Sequence, residues 1–217
     1  MTMDDYAYGN WFAVVVGIGL FSIFILSFFA PFKKRDWRSA GLYEAFIIAL
    51  FTEMFGIPLT IYLLSSIFGV QLSFGHIEGH LLATALTRFG FKLESMWLFV
   101  MVLSYLVILI GIGLMARGWR LIHKTKGKLV NTGVYAYVRH PQYLGLLLVT
   151  GGFLVQWPTL ITLAMWPFLA LMYYRLAQQE EHALEAAFGS KYREYKQNTP
   201  GFFPHLTRIN PRSASSN

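Results

Sequence analysis

Arg139-His140-Pro141-Gln142-Tyr143-Leu144-Gly145 opens a run of 34 residues, Pro141 to Tyr174, without a single Asp, Glu, Lys, Arg or His; charge resumes at Arg175 and the pair Glu180-Glu181. As one helix the run would be roughly 51 Å long at about 1.5 Å per residue, against a hydrocarbon core of about 30 Å. That is too long for one crossing. Gln156-Trp157-Pro158 falls near its middle, and proline neither donates within a helix nor leaves its predecessor free to take helical torsions. The pattern predicts two arms of about 16 residues, each roughly 24 Å long, folded as a tight hairpin. Such a hairpin brings His140 and Glu180 to the same side of the membrane, where the two polar clusters form one site.

Outward from this run, the chain is 55% hydrophobic and 17% aromatic with only 13% charged residues, and its mean hydropathy is +0.47. Trp11 to Phe32 and Ser95 to Ala116 carry no Asp, Glu, Lys or Arg, and Ala45 to Val70 carries only Glu53. Each is long enough to span a bilayer. With the hairpin they predict an all-α integral membrane protein of five transmembrane helices, the last two forming the hairpin, followed by a cytoplasmic C-terminal helical segment. Residues 1–209 read as one transmembrane domain. Asn210 to Asn217, polar and Ser-rich without apolar periodicity, reads as a disordered tail. The start, Met1 to Tyr8, is acidic, and no Lys or Arg precedes Lys33; this fits a retained anchor better than a cleaved signal peptide.

Sixteen of the eighteen Lys and Arg residues fall in three places: residues 31–44, residues 116–142 and the stretch from Arg175 onward. Only Arg88 and Lys92 fall elsewhere. With five crossings, the excess of cations in cytoplasmic loops puts the N-terminus outside and the C-terminus, with both motif halves, in the cytoplasm. The net charge of +7 is then a matter of topology and of membrane lipids with anionic headgroups. No nucleic-acid recognition motif accompanies it.

With no cysteine in the chain, disulfides, thiolate metal sites and a cysteine nucleophile are excluded. Nucleotide-binding glycine motifs, H-E-x-x-H and G-x-S-x-G are absent as well. His76 and His80 have the i, i+4 spacing of a shared metal but lack a third strong ligand, so no metal is assigned. Residues 76–92 read instead as an interfacial helix or a re-entrant cover with Leu81, Leu82, Leu86 and Phe89 in lipid.

Ideal helical phase separates the two glutamates. Glu180 shares a face with Tyr173, Leu176, Ala177, Ala183 and Leu184, whereas Glu181 lies with Gln178 and Glu185. Glu180 is therefore expected to point inward. A carboxylate on an apolar face needs a cationic or hydrogen-bonding partner, since desolvating it alone costs several kcal/mol. Two readings remain open: a structural ion pair with Arg139, His140 or Arg175, and a cationic ligand. Arg175 lies about 140° from Glu180 around the helix, so the two serve different partners.

The segment from Leu129 through Asn131-Thr132-Gly133-Val134-Tyr135-Ala136-Tyr137 to Arg139-His140-Pro141-Gln142-Tyr143-Leu144-Gly145, then Arg175, Glu180-Glu181, Phe188-Gly189, Tyr192, Tyr195 and Pro200, resembles the isoprenylcysteine carboxyl methyltransferase family and its wider relatives, including phospholipid N-methyltransferases. The resemblance covers roughly residues 117–206. It implies an S-adenosylmethionine site between the last transmembrane helices and the C-terminal segment, with a lipophilic or small-molecule methyl acceptor entering from the bilayer. By position it assigns Arg139, His140, Tyr143, Gly145, Glu180, Glu181 and Tyr135 to the cofactor, and Arg175 and Glu180 to the catalytic centre. Arg175 orients the acceptor in this picture. Methyl transfer from a sulfonium is an in-line displacement needing positioning and water exclusion rather than a covalent enzyme nucleophile. Glu180 suits the cofactor's amino group, His140 and Tyr143 its carboxylate, and Tyr135 or Tyr137 its cationic centre. Glu53, an acid inside an apolar segment, either lines the acceptor cavity or pairs with a backbone group. A nicotinamide-dependent membrane reductase and a non-catalytic membrane protein are the competing classes.

The native absence of cysteine makes the hairpin directly testable. Single cysteines at Gln142 and Ser190 are expected to react with an impermeant reagent from the cytoplasmic side, and one at Trp157 from the opposite side. Labelling of Gln142 and Ser190 from opposite sides would separate the two polar clusters and refute the hairpin.

Overall fold

The computed structural model describes residues 8–29, 37–69, 79–125 and 127–204. The start at Met1, His76 with Glu78, and the expected tail at 210–217 lie outside these. Every regular element among the described residues is helical: α1 (Trp11–Phe29), α2 (Trp37–Phe51) running into a π-helical turn (Thr52–Gly56), α3 (Leu59–Phe68), α4 (Leu81–Leu86) with a 3-10 turn (Thr87–Phe89), α5 (Leu93–Thr125), a 3-10 turn (Gly133–Ala136), α6 (Pro141–Gln156), α7 (Leu160–Phe188) and α8 (Ser190–Asn198). Among them α5 and α7 are long and apolar enough to cross a membrane, and Gly41–Gly56 with Leu59–Phe68, bent by 75° at their junction, add a third span if they count as one. The apolar part of α1, Trp11–Ile23, is shorter. At 16 residues, α6 reaches about 24 Å. Five full spans were expected; two or three candidates meet the requirement of length and composition.

The chain packs as two compact units, Met1–Ile108 with Val149–Met172, and Leu109–Leu148 with Tyr173–Asn217. In the first, the break between α2 and α3 has an identifiable cause. Pro58 has no N–H to offer the carbonyl four residues back, and α3 begins with orphaned amides. Buried Glu53 answers one of them, its Oε2 accepting from Thr60 N at 2.9 Å. Of the two roles open to Glu53, the backbone partnership is the one seen. Thr60 Oγ1 in turn accepts from Leu160 N at 3.0 Å, and Thr159 caps α7 by accepting from Thr162 N at 3.1 Å. The expected break near Trp157-Pro158 is thus a capped helix start. Phe21 and Phe153, with ring centroids 5.0 Å apart, and Phe51, 6.0 Å from Phe153, pack edge to face. His80 is buried, with Nδ1 2.7 Å from the Gln156 carbonyl oxygen. The interfacial helix expected over 76–92 is reduced among the described residues to α4 and its 3-10 turn.

In the second unit α5 and α6 meet at glycine. A Cβ at Gly145 would lie 2.6 Å from the Gly111 carbonyl oxygen and 2.5 Å from Met115 Cγ, so two backbones approach there as no other residue type permits. Gly189, at φ +56°, turns the chain from α7 into α8. Gly145→Ala is expected to lower stability by about 1–3 kcal/mol through overpacking. Gly151→Ala, whose Cβ would come no nearer than 4.0 Å to Trp166, is expected to be neutral or stabilising by up to about 1 kcal/mol, since Ala is the better helix former. Thermal unfolding of the two variants in one detergent compares them; equal losses would show that the close approach at Gly145 does not matter.

Candidate functional site

The R-H-P sequence builds the start of α6. Pro141 occupies the first helical position, where its missing N–H costs nothing, and the His140 carbonyl takes the first amide, Leu144 N, at 3.0 Å. The backbone just ahead is pinned to the segment after α8: Arg139 N donates to Pro200 O at 2.9 Å and His140 N to Gly201 O at 3.1 Å.

Side chains complete the arrangement. Glu181 is buried in a stripe with Tyr173 and Ala177. Its Oε1 accepts from Arg139 Nε at 2.9 Å, Arg139 Nη2 at 2.7 Å and His140 Nε2 at 2.9 Å. Its Oε2 pairs with Lys196 Nζ at 2.9 Å. Because an ionised carboxylate only accepts, the contact fixes the proton on His140 Nε2. Arg139 Nη1 donates to the carbonyls of Lys196, at 2.9 Å, and Thr199. The Arg139 fork is therefore spent on Glu181 and on chain turns, and Glu181 has its charge compensated by Arg139 and Lys196 with a further contact from His140 Nε2.

The neighbouring glutamate is different. Glu180 has a 55% exposed side chain against 10% for Glu181. Tyr143 Oη donates to its Oε1 at 2.9 Å, and its Oε2 lies 3.7 Å from His140 Nδ1. The expectation that Glu180 points inward and Glu181 outward is reversed. Both fall within reach of the inward arc in ideal phase, and the cations Arg139 and Lys196 together with the His140 Nε2 contact select Glu181. The apolar companions that spoke for Glu180 are uninformative, since on a membrane helix an apolar face turns to lipid as readily as to protein.

The remaining expected residues are placed as follows. Tyr143 stacks on buried Tyr173, centroids 5.7 Å apart. Phe202 lies over His140 at 5.6 Å and against Tyr174 at 6.2 Å. Tyr135 is buried, its carbonyl accepting from Tyr195 Oη at 2.6 Å. Burial raises the Tyr195 hydroxyl far above its ordinary range, so it stays a donor at any physiological pH. Gly145 serves the contact between α5 and α6. Arg175 is exposed on α7 and takes part in none of the ion pairs found among the described residues. Lys196, the 199–201 carbonyls and Phe202 belong to the site although sequence reasoning did not pick them out; only the nearby Tyr195 and Pro200 hinted that this segment returns.

Among the described residues these features define an all-helical fold with candidate membrane spans and a paired-glutamate site at the start of α6. Residues 96–186 match the family model described as "Isoprenylcysteine carboxyl methyltransferase (ICMT) family". The chain is similar to the Protein-S-isoprenylcysteine O-methyltransferase of Schizosaccharomyces pombe, 32% identical over 83 residues, 35% of this chain and 33% of that protein. The Protein-S-isoprenylcysteine O-methyltransferase B of Arabidopsis thaliana is 37% identical over 84 residues, 36% of this chain and 41% of the relative. The Cobalt-zinc-cadmium resistance protein CzcN of Cupriavidus metallidurans is 28% identical over 118 residues, 52% and 54% of the two chains. The matches thus span from about a third to about half of these relatives' length. No solved structure matches significantly. Among the described residues no group of three or more His, Asp or Glu is arranged to hold a metal.

The unequal burial predicts unequal stability. Glu181→Gln leaves Arg139 and Lys196 without their counter-charge and is expected to cost about 3–5 kcal/mol. Glu180→Gln, at an exposed position, is expected to cost less than about 1 kcal/mol. Denaturant unfolding of both variants tests the order, and equal losses would contradict the clamp.

Proposed function

We propose that this chain is a multi-pass membrane methyltransferase that uses S-adenosylmethionine, of the isoprenylcysteine carboxyl O-methyltransferase kind, acting on a lipophilic acceptor at the cytoplasmic interface. The observation that carries this reading is Glu180: an exposed carboxylate, oriented by Tyr143 and His140, beside a second carboxylate whose charge is already compensated. It sits within the family-matched residues 96–186. A site meant only for stability would have no use for the second acid.

The donor set fits the cofactor. Glu180 would hold the amino group by charge-assisted hydrogen bonds, with Tyr143 fixing the carboxylate's rotamer. His140, locked by its Nε2 contact to Glu181, presents Nδ1 toward the same place. Arg139 and Glu181 position these groups from behind rather than touching the ligand, and Tyr135 supports them through Tyr195. Bound there, the cofactor would supply a sulfonium-activated methyl group for in-line attack by an acceptor lone pair, with the neutral thioether as leaving group. Arg175 has its planar fork free for an acceptor carboxylate, and the rings of Phe202 and Tyr174 shield the region around His140 from water. The hairpin of α6 and α7 belongs to this proposal. Two contacts support it: Trp166 Nε1 donates to Thr150 Oγ1 at 3.2 Å in the first unit, and Tyr143 bonds Glu180 in the second.

S-adenosylmethionine or its demethylated product is expected to raise the unfolding temperature of the purified protein, and NADPH to leave it unchanged, because a ligand stabilises only the state it binds. Glu180→Gln is expected to weaken cofactor affinity roughly 5- to 30-fold, the modest end of a charged hydrogen bond at an exposed site. Arg175→Lys is expected to cut methyl transfer into prenylcysteine at least about tenfold with cofactor affinity unchanged. Stabilisation by NADPH alone would replace the reading with a reductase. Parallel loss of affinity and turnover on changing Arg175 would move that residue to the cofactor.

A further inference from the structure

The charge-free part of α5 ends at Ala116, and the next turns carry Arg117, Arg120 and Lys124. Spaced i, i+3 and i+7, they lie within about 60° of one another around the helix. All three are exposed, and none belongs to an ion pair among the described residues. The opposite side of the helix is fixed in place: a Cβ at Gly118 would lie 3.3 Å from Gln142 Cγ and 3.5 Å from Tyr135 Oη. The cations therefore cannot rotate inward to find a carboxylate. Like charges at this spacing repel along a helix, so the stripe costs the isolated protein stability unless an anionic surface faces it.

Depth identifies that surface. The 22 residues from Ser95 to Ala116 make about 33 Å of helix, close to a hydrocarbon core of about 30 Å, beyond which the polar layer adds roughly 5–7 Å on each side. Arg117 and Arg120 emerge within about the first 6 Å of that layer, and Lys124 can reach back to it along its methylene stem. The exposed Trp119, stacked on His123 with centroids 4.0 Å apart, flanks the stripe where indoles favour the interface.

We propose that Arg117, Arg120 and Lys124 form a binding surface for the headgroup phosphates of anionic phospholipids, selecting them from the surrounding bilayer. This goes beyond the methyl-transfer reading and requires only that α5 cross a membrane. The occupant is lipid because the stripe begins where the apolar span ends and follows the helix axis through the headgroup layer.

The test is binding alone, so it stands whether or not the protein transfers methyl groups. The full chain in mild detergent is titrated with phosphatidylglycerol and with phosphatidylcholine, and bound lipid is counted by native mass spectrometry. Phosphatidylglycerol is expected to bind at least about tenfold more tightly, a preference that falls as salt is raised. Arg117→Gln/Arg120→Gln/Lys124→Gln is expected to abolish the preference. Arg117→Lys/Arg120→Lys keeps the charges and is expected to keep it, as is Lys191→Gln/Arg193→Gln on α8. Retention in the triple Gln variant, or equal loss in the α8 variant, overturns the proposal. So does displacement of the lipid by millimolar inorganic phosphate, which would mark a free-anion site. If the triple variant does not fold, the single charge reversal Arg120→Glu replaces it under the same criteria.

Discussion

One carboxylate holds the site together. Glu181 gathers Arg139, His140 and Lys196 within 2.7 to 2.9 Å, and those three residues come from the start of α6 and from α8. An acid buried this deeply is tolerable only when fully compensated, so the chain is bound to deliver all three partners. Arg139 then passes the constraint on, its other hydrogen bonds fastening the 196–199 turn, while the 139–140 amides fasten Pro200 and Gly201. Within the second compact unit these contacts tie the start of α6 to α8 and the segment that follows it.

Adjacent glutamates 100° apart on an ideal helix meet different surroundings, Glu181 buried among its partners and Glu180 exposed. Arg139 and Lys196 pair with Glu181, while Glu180 faces outward beside Tyr143 Oη and His140 Nδ1, open in our proposal to a cationic group of a ligand. Tyr143 bridges the two surroundings: its ring is stacked on the buried Tyr173 while its hydroxyl reaches the exposed acid. Preorganisation of this kind removes the cost of ordering the site when a ligand arrives.

The helical class and the break near Trp157-Pro158 were legible from the absence of charge over Pro141–Tyr174 and from proline chemistry. The roles of Arg139 and His140 as neighbours of the glutamates were legible too. The phase of the glutamates was not. Periodicity reports which face is apolar, and in a bilayer that does not distinguish a packed face from a lipid-facing one. Lys196 was hidden for another reason: a lysine in a short polar helix looks solvated until the fold brings a carboxylate to it. Gly145 read as part of a ligand motif because sequence cannot show that the Gly111 carbonyl lies where its Cβ would be. Glu53 was visible as an anomaly, but its use as a cap for α3 depended on the bend at Pro58.

The central claim is that Glu181 is spent on structure and Glu180 is kept for a cationic amino group. It is tested most directly by calorimetric titration of the wild-type protein and Glu180→Gln with S-adenosylhomocysteine and with its analogue lacking the α-amino group. The account predicts that the wild type prefers the amino-bearing ligand about tenfold and that Glu180→Gln loses this preference. An undiminished preference in Glu180→Gln, or none in the wild type, would contradict it.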